Sequence, residues 1–140
     1  MTIRAVIPQQ LSCGNAADAR DPKVLAAHQI AAVLDVAAEE APACLPRDRV
    51  SIRIPLADSG DNSPEQLRLA LSVAASLLSS GLSTLICCSA GLSRSPALCA
   101  HVAAAHIGRT PQEVIQQLAD TGPLDIHPGF WNSLCKLPRA

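Results

Sequence analysis

The apolar residues change their spacing several times along the chain, and each change marks an element. Ile3 to Ile7 is a short apolar run stopped by Pro8, and Leu11-Ser12-Cys13-Gly14 predicts a second strand closing a turn. Asn15 to Arg20 reads as a loop. Asp21 and Pro22 then supply an N-cap and a first-turn proline for a helix running through Val24, Leu25, His28 and Gln29. Ile30 to Val36 follows as a hydrophobic strand. Pro42 and Pro46 break the stretch from Ala37 to Asp48 into an exposed connection, and Arg49 to Leu56 alternates as a strand. Ser63-Pro64-Glu65-Gln66 starts a helix to about Ser79, with Leu67, Leu71, Ala74 and Leu78 on its sheet-facing side. Leu82 to Cys87 is apolar on both faces, as expected of a central strand covered by helices on each side. Helices are predicted from Ser93 to about His106, from the capping box Thr110-Pro111-Gln112-Glu113 to Asp120, and from Pro128 to Leu137. Strands alternating with helices predict an α/β domain with a central, mostly parallel sheet flanked by helices and a ligand at the carboxyl ends of the strands.

Composition narrows the class. At 140 residues the chain is large enough for one domain with a core that needs neither metal nor disulfide staples. Formal net charge is -1, so bulk electrostatics predict no nucleic-acid or anionic-membrane partner, and any affinity for anions has to be local. The six cysteines show no regular spacing and no secretory signal opens the chain, which predicts free thiols and a cytoplasmic location. No C-x2-C pair occurs, and adjacent Cys87 and Cys88 are poor ligands for one tetrahedral metal, so no metal or other cofactor is expected. From Leu69 to Ser93 no charged residue occurs, but Gly81 and seven serines interrupt the run, which suits a buried helix and strand better than a membrane span.

The local anion site is the stretch Cys88-Ser89-Ala90-Gly91-Leu92-Ser93-Arg94-Ser95, placed where the central strand turns into a helix. Small residues between Cys88 and Arg94 let successive backbone N–H groups, from Ser89 to Arg94, turn inward as an anion-binding nest, and the following helix adds its positive end. Such surroundings favour a thiolate at Cys88, a nucleophile. Arg94 supplies a planar fork for two phosphate oxygens. Ser95 follows one residue beyond, and its hydroxyl is expected to donate to the Cys88 sulfur and help it leave when a phosphocysteine breaks down.

CSAGLSRS resembles the C-x5-R signature of the cysteine-based protein tyrosine phosphatases, and its A-G-x-S-R-S form resembles their dual-specificity branch. Leu11 to Asp18 is similar to the family's L-x-x-G-x-x-x-x-A segment, and Ile30 to Glu39 to its I-T-H-V-L-N-V strand. The resemblance implies a single phosphatase catalytic domain over residues 1–140. It also implies hydrolysis of phosphomonoesters through a phosphocysteine, on a phosphorylated protein or another phosphomonoester. No counterpart of the long tyrosine-recognition loop is visible, which implies a shallow pocket open to phosphoserine and phosphothreonine as well as phosphotyrosine.

Such a reaction needs an acid to protonate the leaving group. Asp58 ends the strand run Ile52 to Ala57 on the same edge as the Cys88 loop, and I-P-L-A-D is similar to the family's I-P-x-x-D segment. Asp61, three residues later, competes for the role or helps to cap the helix that begins near Ser63. Cys87 stands where the family usually has histidine, either as a structural thiol or as a thiol that captures oxidised Cys88. Cys13, Cys44, Cys99 and Cys135 are expected as small hydrophobes, Asp35 and Glu39-Glu40 as solvated charges, and His28, His101, His106 and His127 in surface or core roles. Phe130 and Trp131 are expected to anchor the last helix. Two other classes stay open: a silent phosphate-binding module recognising phosphorylated partners, and sulfur or arsenate chemistry on a C-x-R loop.

Overall fold

The computed structural model describes residues 3–42, 44–45 and 47–138. Pro46, taken above as a breaker, lies outside them. Five strands, β1 (Arg4–Ile7), β2 (Leu11–Gly14), β3 (Ala32–Ala37), β4 (Val50–Leu56) and β5 (Thr84–Cys87), form one sheet in the order β1-β2-β5-β3-β4. Only β1 and β2 pair antiparallel, so the sheet is mostly parallel, as the alternation of strands and helices predicts. The helices are α1 (Ala16–Ala19), α2 (Pro22–Ala27), α3 (Pro64–Ser79), α4 (Arg94–Ile107), α5 (Pro111–Ala119) and α6 (Pro128–Cys135). Among the described residues no helix is long and apolar enough to cross a membrane.

Side chains of successive strand residues point to opposite faces, and this sorts the core into two. Leu34, Val36, Ile86 and Cys88 face the larger core with Leu67, Leu98, Val114 and Phe130 from α3 to α6. Val33, Leu85 and Cys87 face the smaller one with Ile3, Ala19, Leu25 and Ile30. Helix α4 lies among α3, α5 and α6, which explains why it is buried on nearly every side and made of Ala, Leu, Cys and Val rather than carrying one stripe. Phe130 is fully buried, and the Trp131 ring stands 4.8 Å from that of His101, so α6 is held by its aromatic pair.

Helix starts follow their caps. The Ser63 hydroxyl accepts from the Gln66 N–H at 3.1 Å, and Thr110 and Glu113 form a reciprocal capping box. The stretch from Asn15 to Arg20, expected as a loop, contains α1. There the Asn15 side chain accepts from the Asp18 N–H at 2.8 Å and Asp18 accepts from the Asn15 N–H at 3.2 Å, which is enough to hold one turn. On β4 the register slips between Asp35/Arg53 and Ala37/Leu56, so this edge strand bulges around Ile54 and Pro55, a position where a missing N–H is tolerated.

Candidate active site

Four parallel strands deliver their carboxyl ends to one edge. Gly14 and Asp35 stand level with Cys87, and Ala37 with Leu56, so the loops after β2, β3, β4 and β5 converge. The loop after β5 runs from Cys88 to Ser93 and feeds directly into α4. Its shape rests on Gly91, whose φ of +76° suits glycine and whose Cβ, if present, would stand 2.9 Å from the Gly14 carbonyl carbon.

The loop turns its carbonyls away and its amides in. Ser89 O accepts from the Ala16 N–H at 3.1 Å, and Leu92 O from the Asp125 N–H at 2.9 Å. Among the described residues, none of the backbone N–H groups of Ser89 to Ser93 has an acceptor. Ser93 is the N-cap of α4 but makes no side-chain cap bond, so the positive end of the helix is also left open. Cys88 sits at the floor of this nest, 2 % exposed. Its thiol donates to Ser95 Oγ at 3.4 Å, the Ser95 N–H donates to Cys88 Sγ at 3.4 Å, and the Ser95 hydroxyl donates to the Gly14 carbonyl at 3.2 Å. When Cys88 is a thiolate, that hydroxyl can turn from Gly14 to the sulfur.

Arg94 is 4 % exposed, and both ends of its fork are held by hydrogen bonds. Its Nη1 donates to Glu39 Oε1 at 2.6 Å and to the Leu56 carbonyl at 2.8 Å, and its Nη2 donates to Glu39 Oε2 at 2.7 Å. Nε is buried and has no partner among the described residues. The end of the fork is therefore spent on orientation, while the Nε edge stays free to meet two oxygens of an anion. The guanidinium hydrogen bond holds the Glu39 carboxyl down at about 2.

Asp58 reaches the same loop. Its Oδ1 accepts from the Ser93 hydroxyl at 2.6 Å, and Ser93 Oγ in turn accepts from the His127 N–H at 2.9 Å. Asn62 brackets the turn, accepting from the Ala57 N–H and donating to the Ala57 carbonyl, both at 2.7 Å. The far side of the turn rests on α6, where a Cβ on Gly129 would stand 2.9 Å from Gly60 N. Asp61 is exposed, and neither it nor Asp58 caps α3, since Ser63 does so itself. The structure thus brings Cys88, Arg94, Ser95, Asp58 and the amides of Ser89, Ala90, Gly91, Leu92 and Ser93 together, and leaves Asp61 outside.

Glu39 and Glu40, expected as solvated charges, belong to the site: Glu40 Oε2 accepts from the Ser89 hydroxyl at 3.1 Å. Asp35 is not solvated either. It is buried, accepting from the Ala37 N–H at 3.0 Å and pairing with Arg53 at 3.3 Å. Nothing in the pattern of the connection from Ala37 to Asp48 distinguishes Glu39 from any exposed acid, because its partner lies 55 positions away. Cys87 points to the other face of the sheet from Cys88, into the smaller core, where burial and the nearby Asp35 push its thiol well up. Of the remaining cysteines, Cys13 and Cys99 are buried as expected, whereas Cys44 and Cys135 are exposed.

No protein-family model matches the sequence, and no curated protein matches it. Solved structures do. Human DUSP28 superposes with a TM-score of 0.82 at 24% identity, over 96% of this chain and 93% of that one. The chain has the dual-specificity phosphatase fold. Other holders of that fold include the human tyrosine phosphatase-like serine/threonine/tyrosine-interacting protein, with a TM-score of 0.82 at 18% identity over 96% of this chain and 94% of that one. PTPMT1, solved in complex with PI(5)P, matches with a TM-score of 0.75 at 15% identity over 96% and 92% of the two chains.

Proposed function

We propose that this chain is a cysteine-dependent phosphatase that hydrolyses phosphomonoesters in two steps. One observation carries the proposal: a buried thiol at a helix N-terminus is surrounded by unpaired amides and by the unpaired Nε edge of a buried arginine. In the first step the Cys88 thiolate attacks phosphorus, the amides of Ser89 to Arg94 and the Arg94 fork hold the three non-bridging oxygens, and Asp58 gives its proton to the departing oxygen. In the second, Asp58 takes a proton from water as that water attacks the phosphocysteine, and the Ser95 hydroxyl donates to the departing sulfur. Nucleophile, anion ligands and acid all come from the chain, so the reaction as proposed needs no metal.

The rim supports a protein substrate. Three carboxylates, those of Glu39, Glu40 and Asp58, each hold a residue of the loop, which favours one phosphate on a protein chain over polyphosphorylated lipids or RNA. The fold alone does not choose, since PTPMT1 carries it with a phosphoinositide bound. The second class, a phosphate-binding module, has the interacting protein above as a fold relative, but recognition alone requires neither Cys88 nor Asp58.

The decisive assay is hydrolysis of a chromogenic aryl phosphate in the presence of a chelator. Turnover inhibited by vanadate and abolished by Cys88→Ser is expected. A wild-type chain that turns nothing over yet binds phosphopeptides would establish the binding module instead.

A further inference from the structure

Every described helix begins at a polar residue, and at one of them the side chain serves something other than the helix. Asn15, Asp21, Ser63, Thr110 and His127 each accept from an N–H of the helix they open, as an N-cap side chain does. Ser93, before α4, makes no such bond. Its Oγ accepts from the His127 N–H at 2.9 Å and donates to Asp58 Oδ1 at 2.6 Å, a charge-assisted distance. Ser93 is 7 % exposed, so its hydroxyl is largely shielded from competing water.

The turn that carries Asp58 is fixed through its backbone, by Asn62 on Ala57 and by the close approach of Gly60 and Gly129. Neither contact sets the carboxyl group, and an exposed aspartate on a turn is otherwise free to rotate about its side-chain bonds. Among the described residues the hydrogen bond to that carboxyl comes from Ser93. The direction of the bond is set from the other side of Oγ: with the His127 N–H donating to the oxygen, the single hydroxyl hydrogen is left for Asp58. The Asp125 N–H donates to the carbonyl of the preceding Leu92 at 2.9 Å, so the segment leading into α6 holds the phosphate loop at two consecutive residues. With Oδ1 accepting, Oδ2 is the oxygen left to carry the proton of the acid.

We propose that the Ser93 hydroxyl is a positioning group for the general acid: it holds Asp58 by Oδ1 so that the proton on Oδ2 meets the leaving oxygen of a phosphate bound in the nest. The proposal rests on the phosphatase reading above and assigns the side chain of a residue whose backbone N–H alone that reading uses. In the first step the proton leaves Oδ2 for the leaving-group oxygen as the P–O bond breaks and the S–P bond forms. In the second, Oδ2 takes a proton from water as the new O–P bond forms and the S–P bond breaks, which restores the acid. Ser93 keeps its own proton throughout and acts through Asp58. Its contribution therefore grows with the need of the leaving group for a proton, which is greater for phenol than for an activated nitrophenol.

The test compares the wild-type chain, Ser93→Ala, Asp58→Asn and the double variant on phenyl phosphate and on an activated nitrophenyl ester, with inhibition by vanadate as the measure of the nest. Alanine keeps the backbone N–H at position 93, and because the Ser93 side chain caps nothing, the start of α4 loses no bond. Ser93→Ala should lower kcat on phenyl phosphate about tenfold more than on the activated ester, while inhibition by vanadate stays within about threefold. In the Asp58→Asn background the same change should cost phenyl phosphate less than about twofold further, since the group it positions is gone. Equal losses on the two esters, a tenfold loss that persists in Asp58→Asn, or vanadate inhibition weakened as much as turnover would each overturn the proposal and leave the phosphatase reading standing. A wild-type chain that turns over neither ester would overturn both.

Discussion

Cys87 and Cys88 are neighbours in the chain and share almost nothing else. Cys87 faces the smaller core among Val33, Leu85 and Leu25, beside the buried Asp35, and burial pushes its thiol well up. Cys88 lies past the last paired residue, where the chain leaves the sheet and the open end of α4, a ring of unpaired amides and Arg94 converge on one point. One residue of chain and one flip of the pleat separate an inert thiol from a proposed nucleophile. Reactivity here is a property of position at the strand's carboxyl end and not of cysteine itself.

The contrast is tested hardest by placing serine at each position. Cys88→Ser should lower hydrolysis of an aryl phosphate more than ~1,000-fold, since the alcohol is a far poorer nucleophile. Cys87→Ser should leave kcat/KM within about threefold and cost about 1 kcal/mol in urea unfolding, for a hydroxyl placed in an apolar core. A folded Cys87→Ser chain as inactive as Cys88→Ser would break the contrast, and would mean that the residue before the nucleophile acts on it through the backbone.

A second contrast lies within one turn: Asp58 and Asp61 are both exposed, but of the two only Asp58 accepts from the Ser93 hydroxyl among the described residues. Asp58→Asn should slow turnover of phenyl phosphate by about 100-fold and that of an activated nitrophenyl ester much less, because only the poorer leaving group needs the proton. Asp61→Asn should change either by less than about twofold. The reverse pattern would hand the acid role to Asp61.

What the sequence made legible divides along the same line as the chemistry. Helix starts at Ser63 and Thr110, the buried strand before Cys88 and the loop to Arg94 are local, each written in a few adjacent residues with their caps and periodicity. Asp58 was legible because a strand end and a motif coincide there. Glu39 and Glu40 were not, since a carboxylate in an irregular connection becomes specific only when folding brings it to Arg94 or Ser89. The same holds for Asp35, whose burial rests on Arg53 across the β3–β4 pair. Helix α1 was lost for another reason: a one-turn helix has no periodicity to detect, and only the Asn15–Asp18 pair announces it.

Glu39 offers the smallest effect and the finest test of how Arg94 is held. Its side chain is 55% exposed while Arg94 is 4%, so the pair is half in water and contributes about 1 kcal/mol or less to stability. Its carboxyl stands at about 2 in the folded chain against an ordinary 4.5. A depressed carboxyl contributes stability that is complete above the unfolded value and is lost as pH falls through the folded one, so the contribution should fade between about pH 4.5 and 2. In Glu39→Gln that part of the acid dependence of urea unfolding should vanish, leaving a flatter curve in this window. Turnover should fall only about tenfold, because the Leu56 carbonyl still holds Nη1 at 2.8 Å and Nε stays unpaired for an anion. A loss as large as that of Cys88→Ser would show that the carboxylate takes part in the reaction itself; no loss at all would show that Leu56 alone aims the fork.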